Sequence, residues 1–192
     1  MSIEFYDRHA DAFFADTVCA DMGVPRARFL AHVPARGRIL DAGCGSGRDA
    51  KAFAKLGYEV EAFDASPEMV RLASSFTGLP IRLMTFEQIH WTARFNGIWA
   101  SASLLHAPRD HLPRIAQRLE QALTDGGVLY ASFKHGETER EKDGRRFTDM
   151  TEARLRAEFL PATSLELIEV WVSPDVRPGR SDEVWLNAIM RR

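Results

Sequence analysis

The sequence is poor in the residues that build disulfide frameworks, metal clusters and membrane spans. Its 192 residues include two cysteines and six histidines. Cys19 and Cys44 lack the paired spacing of a zinc site. His106 and His111 are five residues apart, so they do not share a helix face as helical metal ligands do. No run approaches the roughly 20 apolar residues of a membrane-spanning helix. We therefore expect no disulfide framework, no metal and no membrane partner.

The chain also lacks an excess of charge of either sign, because 25 Lys and Arg residues face 27 Asp and Glu residues. A balanced chain offers no basic field for nucleic acid and no acidic tail, so we expect no nucleic-acid partner. The first residues are acidic and contain no apolar run, unlike a secretory signal peptide. We expect a cytoplasmic protein, and the sequence does not indicate its oligomeric state.

After about residue 37, short apolar runs alternate with amphipathic segments, which predicts strands and helices around a parallel sheet. The last two predicted strands, at 164–172 and 183–190, are separated only by residues 173–182, which contain two prolines and a glycine. That segment is too short for a crossover helix, so the pair should be antiparallel. The predicted fold is a doubly wound α/β sheet of seven mostly parallel strands with a C-terminal antiparallel hairpin. Helices should cover both faces, and residues 1–35 should form a helical cap.

The first predicted strand, Arg38–Asp41, leads into glycines at positions 43, 45 and 47 and then into a helix. Glycines in such a loop let a ligand approach the bare backbone, and the helix start favours a carboxylate or phosphate. Asp41 could accept a hydrogen bond from a cationic amine, and Asp64, after the second strand, could hold the hydroxyls of a ribose. The dinucleotide pattern GxGxxG would need glycine at position 48, where Arg48 stands.

These residues resemble the class I S-adenosylmethionine-dependent methyltransferases. The resemblance rests on three segments, 40–47, 63–69 and 123–129, and it covers about residues 36 to 192. Residues 99–106 and 133–136 are similar to small methyltransferases of the tellurite-resistance-like and thiopurine-like kinds. The resemblance implies one methyltransferase domain over residues 1–192, with a cap at 1–35 and a cofactor-binding α/β core at 36–192.

The resemblance also implies a role for each position in holding S-adenosylmethionine. The methionine portion would lie on Gly43, Gly45 and Gly47, with its amine near Asp41. Asp64 would hold the ribose. Ser101 would lie near the sulfonium, and Tyr6 would close over the site. The adenine would contact Ala65, Met69, Phe86 and Glu87; Glu87 would replace an acid that the family often carries at the position of Thr85.

Methyl transfer in line depends mainly on positioning, so the sequence assigns no obligatory catalytic residue. If the acceptor must lose a proton, His106 is the first candidate for a base and His135 the second. His106, Lys134 and His135 are the predicted substrate-side residues. The charged run Glu139–Arg146 is interpreted as a mobile surface loop, with a substrate lid as the alternative.

We expect a small-molecule acceptor. One alternative is a protein that binds S-adenosylmethionine without catalysis and serves as a sensor or partner subunit. A second is a nucleotide-dependent oxidoreductase, which the missing GxGxxG pattern argues against. A nucleic-acid methyltransferase of the amino-directed type would carry an Asn-Pro-Pro-Tyr-like tetrapeptide where this chain has residues 101–104, Ser-Ala-Ser-Leu.

Overall fold

Nine strands and seven α-helices organise the described part of the chain, which in this computed structural model comprises residues 2–177, 179–180 and 182–192. The strands are β1 (Arg38–Ala42), β2 (Glu59–Asp64), β3 (Ile81–Leu83), β4 (Phe95–Ala100), β5 (Leu123–Lys134), β6 (Glu139–Lys142), β7 (Arg145–Thr148), β8 (Glu166–Pro174) and β9 (Val184–Arg191). The helices are α1 (Ser2–Arg8), α2 (Ala10–Thr17), α3 (Gly23–Leu30), α4 (Arg48–Lys55), α5 (Pro67–Thr77), α6 (Leu112–Ala122) and α7 (Glu152–Arg154), which a π-helical turn continues to Phe159.

Seven strands form one sheet in the order β3-β2-β1-β4-β5-β9-β8. The first five are parallel to their neighbours, whereas β9 runs antiparallel to both β5 and β8. The predicted fold class, including the antiparallel C-terminal pair, is therefore confirmed. The chain order of the strands reverses between β1 and β4, and ligands of open α/β sheets bind in the crevice at such a switch point.

Alternation along the parallel strands divides the core between the two faces of the sheet. On β1, Leu40 and Ala42 belong to one cluster of buried residues and Ile39 to another. The first cluster packs against the apolar stripe of α6, which includes Ile115 and Leu119. Because successive side chains of a strand point to opposite faces, this division follows from period-two alternation. Both faces are covered, as a parallel sheet requires.

The structure differs from the sequence-based expectation at the charged run Glu139–Arg146. This run, expected as a surface loop, instead forms most of the antiparallel β6–β7 hairpin, and Phe147 and Thr148 at the end of the hairpin are buried. The run was misread because charged residues mark the exposed strand β6 but do not reveal the half-buried strand beside it.

The N-terminal helices dock on the α/β core through polar contacts. Asp7 Oδ1 of α1 accepts a 2.5 Å hydrogen bond from Ser66, the residue that caps α5. Arg26 Nη1 of α3 lies 2.7 Å from Asp49 Oδ1 of α4. These contacts hold α1 and α3 beside the carboxyl ends of the parallel strands. Among the described residues, no helix is long and apolar enough to span a bilayer.

Candidate cofactor and acceptor site

A cavity of about 650 Å³ opens at the carboxyl ends of the parallel strands, beside the switch point. The loops after β1, β2 and β4 line it, together with α1 and the β6–β7 and β8–β9 hairpins. Its volume lies within the roughly 300–1,000 Å³ of most small-molecule and cofactor pockets. All the predicted site residues line this cavity except Gly47.

The glycine loop leaves bare backbone where a side chain would not fit. Gly43 has a φ of 74°, and a Cβ atom there would lie 2.6 Å from the Cβ of Ser103. Ser103 in turn donates a 2.7 Å hydrogen bond to the carbonyl of Ala42, so the loops after β1 and β4 are joined at this point. Gly45 also has a positive φ and faces Phe13 of α2.

Gly47 is not among the residues that line the cavity, and its backbone lies where two helices pack. It is the N-cap of α4, with a φ of 75°, and a Cβ there would lie 2.7 Å from the Thr77 side chain and 3.2 Å from that of Ala73. Its bare backbone therefore allows α4 and α5 to approach closely. The need for glycine at this position is explained by helix packing.

Asp41 supplies a buried and incompletely satisfied carboxylate. Its side chain is almost fully buried, and its Oδ2 atom has no hydrogen-bond partner among the described residues. Burial raises the pKa of this carboxyl well above its ordinary value, and the nearby charge of Asp49 acts in the same direction. An unpaired buried acceptor is unfavourable unless a ligand satisfies it. A cationic amine has the required charge and hydrogen-bond donors.

Asp64 closes the other side of the glycine loop. Its Oδ2 accepts a 2.8 Å hydrogen bond from the Gly45 amide, and its Oδ1 accepts one of 3.0 Å from the Ser66 amide. Burial nevertheless raises its pKa. Each carboxylate oxygen has further acceptor capacity, so ribose hydroxyls can bind beside the amides.

Four predicted adenine contacts lie together after β2 and β3. Met69 is fully buried, and Phe86 packs edge-on against Phe63 at 5.4 Å between ring centroids. Glu87 is exposed at the rim, where its Oε1 lies 3.4 Å from His111 Nδ1. These positions, with Ala65, form a partly apolar wall and a carboxylate at its edge.

Tyr6 and His106 meet across the cavity mouth. The Nδ1 atom of His106 lies 2.7 Å from the carbonyl of Arg146, and its Nε2 atom lies 2.7 Å from the Tyr6 hydroxyl. A carbonyl can only accept, so Nδ1 carries the proton and Nε2 accepts from Tyr6. Burial lowers the pKa of His106 to about 4 and raises that of Tyr6. Both groups are therefore neutral at neutral pH.

Lys134 is the last residue of β5, and His135 follows it, at the other end of the cavity. Lys134 is paired with Glu183 and lies 3.7 Å from Asp175, while its ammonium sits 4.0 Å from the centre of the Trp185 ring. His135 is exposed at the rim. Lys134 is thus engaged by carboxylates of the β8–β9 hairpin, which reduces the charge it offers to an acceptor.

Asp49 is a buried residue of the site that the sequence reasoning missed. Besides Arg26, its carboxylate contacts Arg48 Nη2 at 2.5 Å and the indole nitrogen of Trp99 at 3.0 Å. Burial acts to raise the pKa of Asp49, but the Arg48 guanidinium lowers it below the usual value. The sequence did contain a signal for the burial of Asp49. Asp49 lies four residues before the buried Phe53 and hence on the same face of the helix.

Comparison with known proteins agrees with this geometry. The family model described as a methyltransferase domain matches residues 13–169. The ubiquinone biosynthesis O-methyltransferase of Xanthomonas campestris pv. campestris (strain B100) is 31% identical over 124 residues, which is 61% of this chain and 47% of that protein. The protein of the same name from Methylocella silvestris is 41% identical over 91 residues, 44% of this chain and 35% of that protein. The chain thus spans less than half the length of these curated relatives.

Solved structures share the fold. The 1,6-didemethyltoxoflavin-N1-methyltransferase of Burkholderia thailandensis, with bound 1,6-didemethyltoxoflavin and S-adenosylhomocysteine, superposes with a TM-score of 0.77 and 24% identity, covering 99% of this chain and 84% of that one. A TehB-like S-adenosylmethionine-dependent methyltransferase from Corynebacterium glutamicum gives a TM-score of 0.70 at 19% identity, with 97% of each chain covered.

Proposed function

The chain belongs to the methyltransferase-domain family, and on that basis we propose that it transfers a methyl group from S-adenosylmethionine to a small-molecule acceptor. One observation carries the proposal. An unpaired buried carboxylate oxygen, Asp41 Oδ2, lies in the cavity beside the bare backbone of the glycine loop. An amine-bearing ligand satisfies that oxygen, whereas a pyrophosphate would be repelled by it.

The residues present fit S-adenosylmethionine in its separate parts. The amino-acid portion lies on Gly43 and Gly45, with the amine toward Asp41. The ribose hydroxyls bind Asp64, and the adenine packs against Ala65, Met69 and Phe86, with Glu87 near its edge. Ser101, after β4, faces the region between cofactor and acceptor. This assignment of residues to the parts of S-adenosylmethionine requires no metal and no charged side chain at the reacting carbon.

S-adenosylmethionine, when bound, supplies a methyl group on a positively charged sulfur that leaves as a neutral thioether. The chain's own contribution is to hold the two reactants in line and to exclude water. Such positioning can lower a barrier by about 7–11 kcal/mol. Tyr6 and His106 close the mouth above the glycine loop, and the side chains of both are neutral at neutral pH.

A small acceptor suits the size of the cavity, about 650 Å³, which α1, α2 and the two hairpins border. The names of the relatives support the same class of acceptor, since ubiquinone biosynthesis and a toxoflavin precursor both involve small molecules. The N-terminal helices at 1–35 act as the cap of this site, and residues 36–192 act as the cofactor-binding core of one domain.

Calorimetry with S-adenosylhomocysteine tests the cofactor assignment. Turnover is tested separately, by measuring how much S-adenosylhomocysteine forms from S-adenosylmethionine in the presence of a panel of small phenols, amines and thiols. Asp64→Ala should weaken binding by about 1–3 kcal/mol, the loss expected when hydroxyls lose a buried partner. Asp125→Ala, whose side chain is exposed, is the matched control and should bind normally. Absence of S-adenosylhomocysteine binding to the unmodified protein would overturn the proposal. Binding without turnover would indicate the non-catalytic alternative.

A further inference from the structure

Arg145 enters the acceptor end of the cavity from the β6–β7 hairpin. Its side chain is 22% exposed, and its guanidinium carbon lies 4.2 Å from the centre of the Phe5 ring and 5.2 Å from that of Phe147. Arg145 and Phe147 are two residues apart on β7 and so share one face of the strand. The two rings therefore hold this guanidinium in one place.

The charge of Arg145 has little compensation. Its Nε atom is buried without a hydrogen-bond partner among the described residues, and its Nη2 atom lies 3.7 Å from Asp143 Oδ2, a carboxylate on an exposed turn. Two other arginines that line the cavity have close carboxylate partners, Arg140 with Asp149 and Arg177 with Asp175. A partly buried cation without a close carboxylate is unfavourable unless an anion joins it.

Arg145 lines the same cavity as Tyr6 and His106 and lies close enough to both to affect their protonation. The guanidinium acts on both groups, lowering the pKa of His106 further and opposing the burial that raises the pKa of Tyr6. A His106 with a pKa of about 4 is a weak proton acceptor at neutral pH. The acceptor side is therefore built to bind a negative charge rather than to remove a proton.

We propose that Arg145 is the specificity-determining residue for an anionic acceptor, a carboxylate, phenolate or thiolate, which its guanidinium binds beside Tyr6. This inference rests on the proposed methyltransferase function. The anion forms its new bond to the methyl carbon with its own electron pair, while the carbon–sulfur bond breaks and its pair stays on sulfur. Both products are then neutral at the reacting atoms, and no proton has to leave.

Binding to the S-adenosylhomocysteine complex tests this without requiring the natural acceptor. The probes are three matched pairs in weakly alkaline buffer: benzoate and benzamide, 4-nitrophenolate and 4-nitroanisole, and thiophenolate and thioanisole. At least one anion should bind about tenfold or more tightly than its neutral partner, and Arg145→Gln should remove that preference. Arg145→Lys should retain part of it, because the charge remains while the forked donor geometry is lost.

Two control variants separate a specific contact from a general positive field. Lys142→Gln removes an exposed cation of the same hairpin, and Arg114→Gln removes an exposed arginine of α6; both should keep the anion preference. All variants should bind S-adenosylhomocysteine as the parent does, which also verifies their folding. Equal or absent binding of all three anions, or a preference that survives Arg145→Gln, overturns the inference. Failure of the unmodified protein to bind S-adenosylhomocysteine instead counts against the proposed function.

Discussion

The indole nitrogen of Trp99 donates a 3.0 Å hydrogen bond to Asp49 Oδ2, linking the central strand β4 to the helix that follows the glycine loop. The Trp99 ring also stacks on Tyr130 of β5, with 3.9 Å between ring centroids. Through Arg26, the same carboxylate reaches the N-terminal helices. The buried carboxylate of Asp49 thus contacts the sheet and the N-terminal helices from the first turn of the helix that follows the glycine loop.

Replacing this charge should be strongly destabilising. Asp49→Asn leaves the buried guanidinium groups of Arg48 and Arg26 without their carboxylate, and breaking a buried pair in this way costs about 3–5 kcal/mol. We expect a loss of that size in the free energy of unfolding, measured by urea denaturation. Glu59→Gln breaks an exposed pair with Arg38 and should cost at most about 1 kcal/mol. Equal losses of stability from the two substitutions would show that the buried contacts of Asp49 matter no more than an exposed ion pair.

The Tyr6 hydroxyl should control how firmly the cap closes. Tyr6→Phe leaves His106 Nε2 buried without a donor, a loss of about 1–3 kcal/mol. Most of this loss of stability should appear as local opening of the N-terminal helices. In amide hydrogen exchange, the amides of residues 2–17 should therefore exchange faster, whereas those of β4 should not. Tyr58→Phe is the matched control, because no side-chain hydrogen bond of Tyr58 is recorded in the described structure. Unchanged exchange in residues 2–17 would show that the pair does not hold the cap.

The sequence predicted the sheet well because periodicity and connection length carry that information locally. The short segment 173–182 forces an antiparallel pair, and the glycine spacing after β1 marks the ligand loop. A position in the cavity was predictable for residues at the carboxyl ends of strands, such as Asp41 and Asp64, because parallel strands end at a common edge.

Contacts between segments that are distant in the chain could not be predicted from local sequence patterns. The pairing of Tyr6 with His106 joins residues 100 positions apart, and that of Arg26 with Asp49 depends on where α3 docks. Arg145 was hidden in a charged run that suggests a solvated loop. Its burial depends on Phe5 and Phe147 packing around it, which no local pattern records.

Gly43 should tolerate no side chain. In Gly43→Ala the new methyl would lie 2.6 Å from Ser103 Cβ, in a backbone conformation with a φ of 74°. Gly57→Ala meets the same kind of strain at a φ of 88°, about 1–2 kcal/mol, but contacts nothing within 4 Å. We expect Gly43→Ala alone to abolish S-adenosylhomocysteine binding in calorimetry, while both variants lose some stability. Normal binding by Gly43→Ala would show that the loop can move aside.

Cofactor binding should release a proton from Asp41. Burial raises the pKa of this carboxyl well above its ordinary 3.8 in the free protein. A bound cationic amine favours the ionised form and lowers that pKa again. Between the lowered and the raised pKa of Asp41 the free protein holds a proton that the complex lacks, so affinity should increase with pH between these two pKa values and level off above the higher one.

Calorimetry of S-adenosylmethionine binding, in two buffers that differ in ionisation enthalpy, measures the protons released. Asp64 also has a pKa raised by burial, so its contribution must be separated from that of Asp41. Asp41→Asn provides the separation, because an amide has no proton to lose at this position while Asp64 is unchanged. The variant should bind more weakly and release fewer protons than the parent. Proton uptake by the parent, or equal release by both proteins, would mean that the amine is not bound at Asp41.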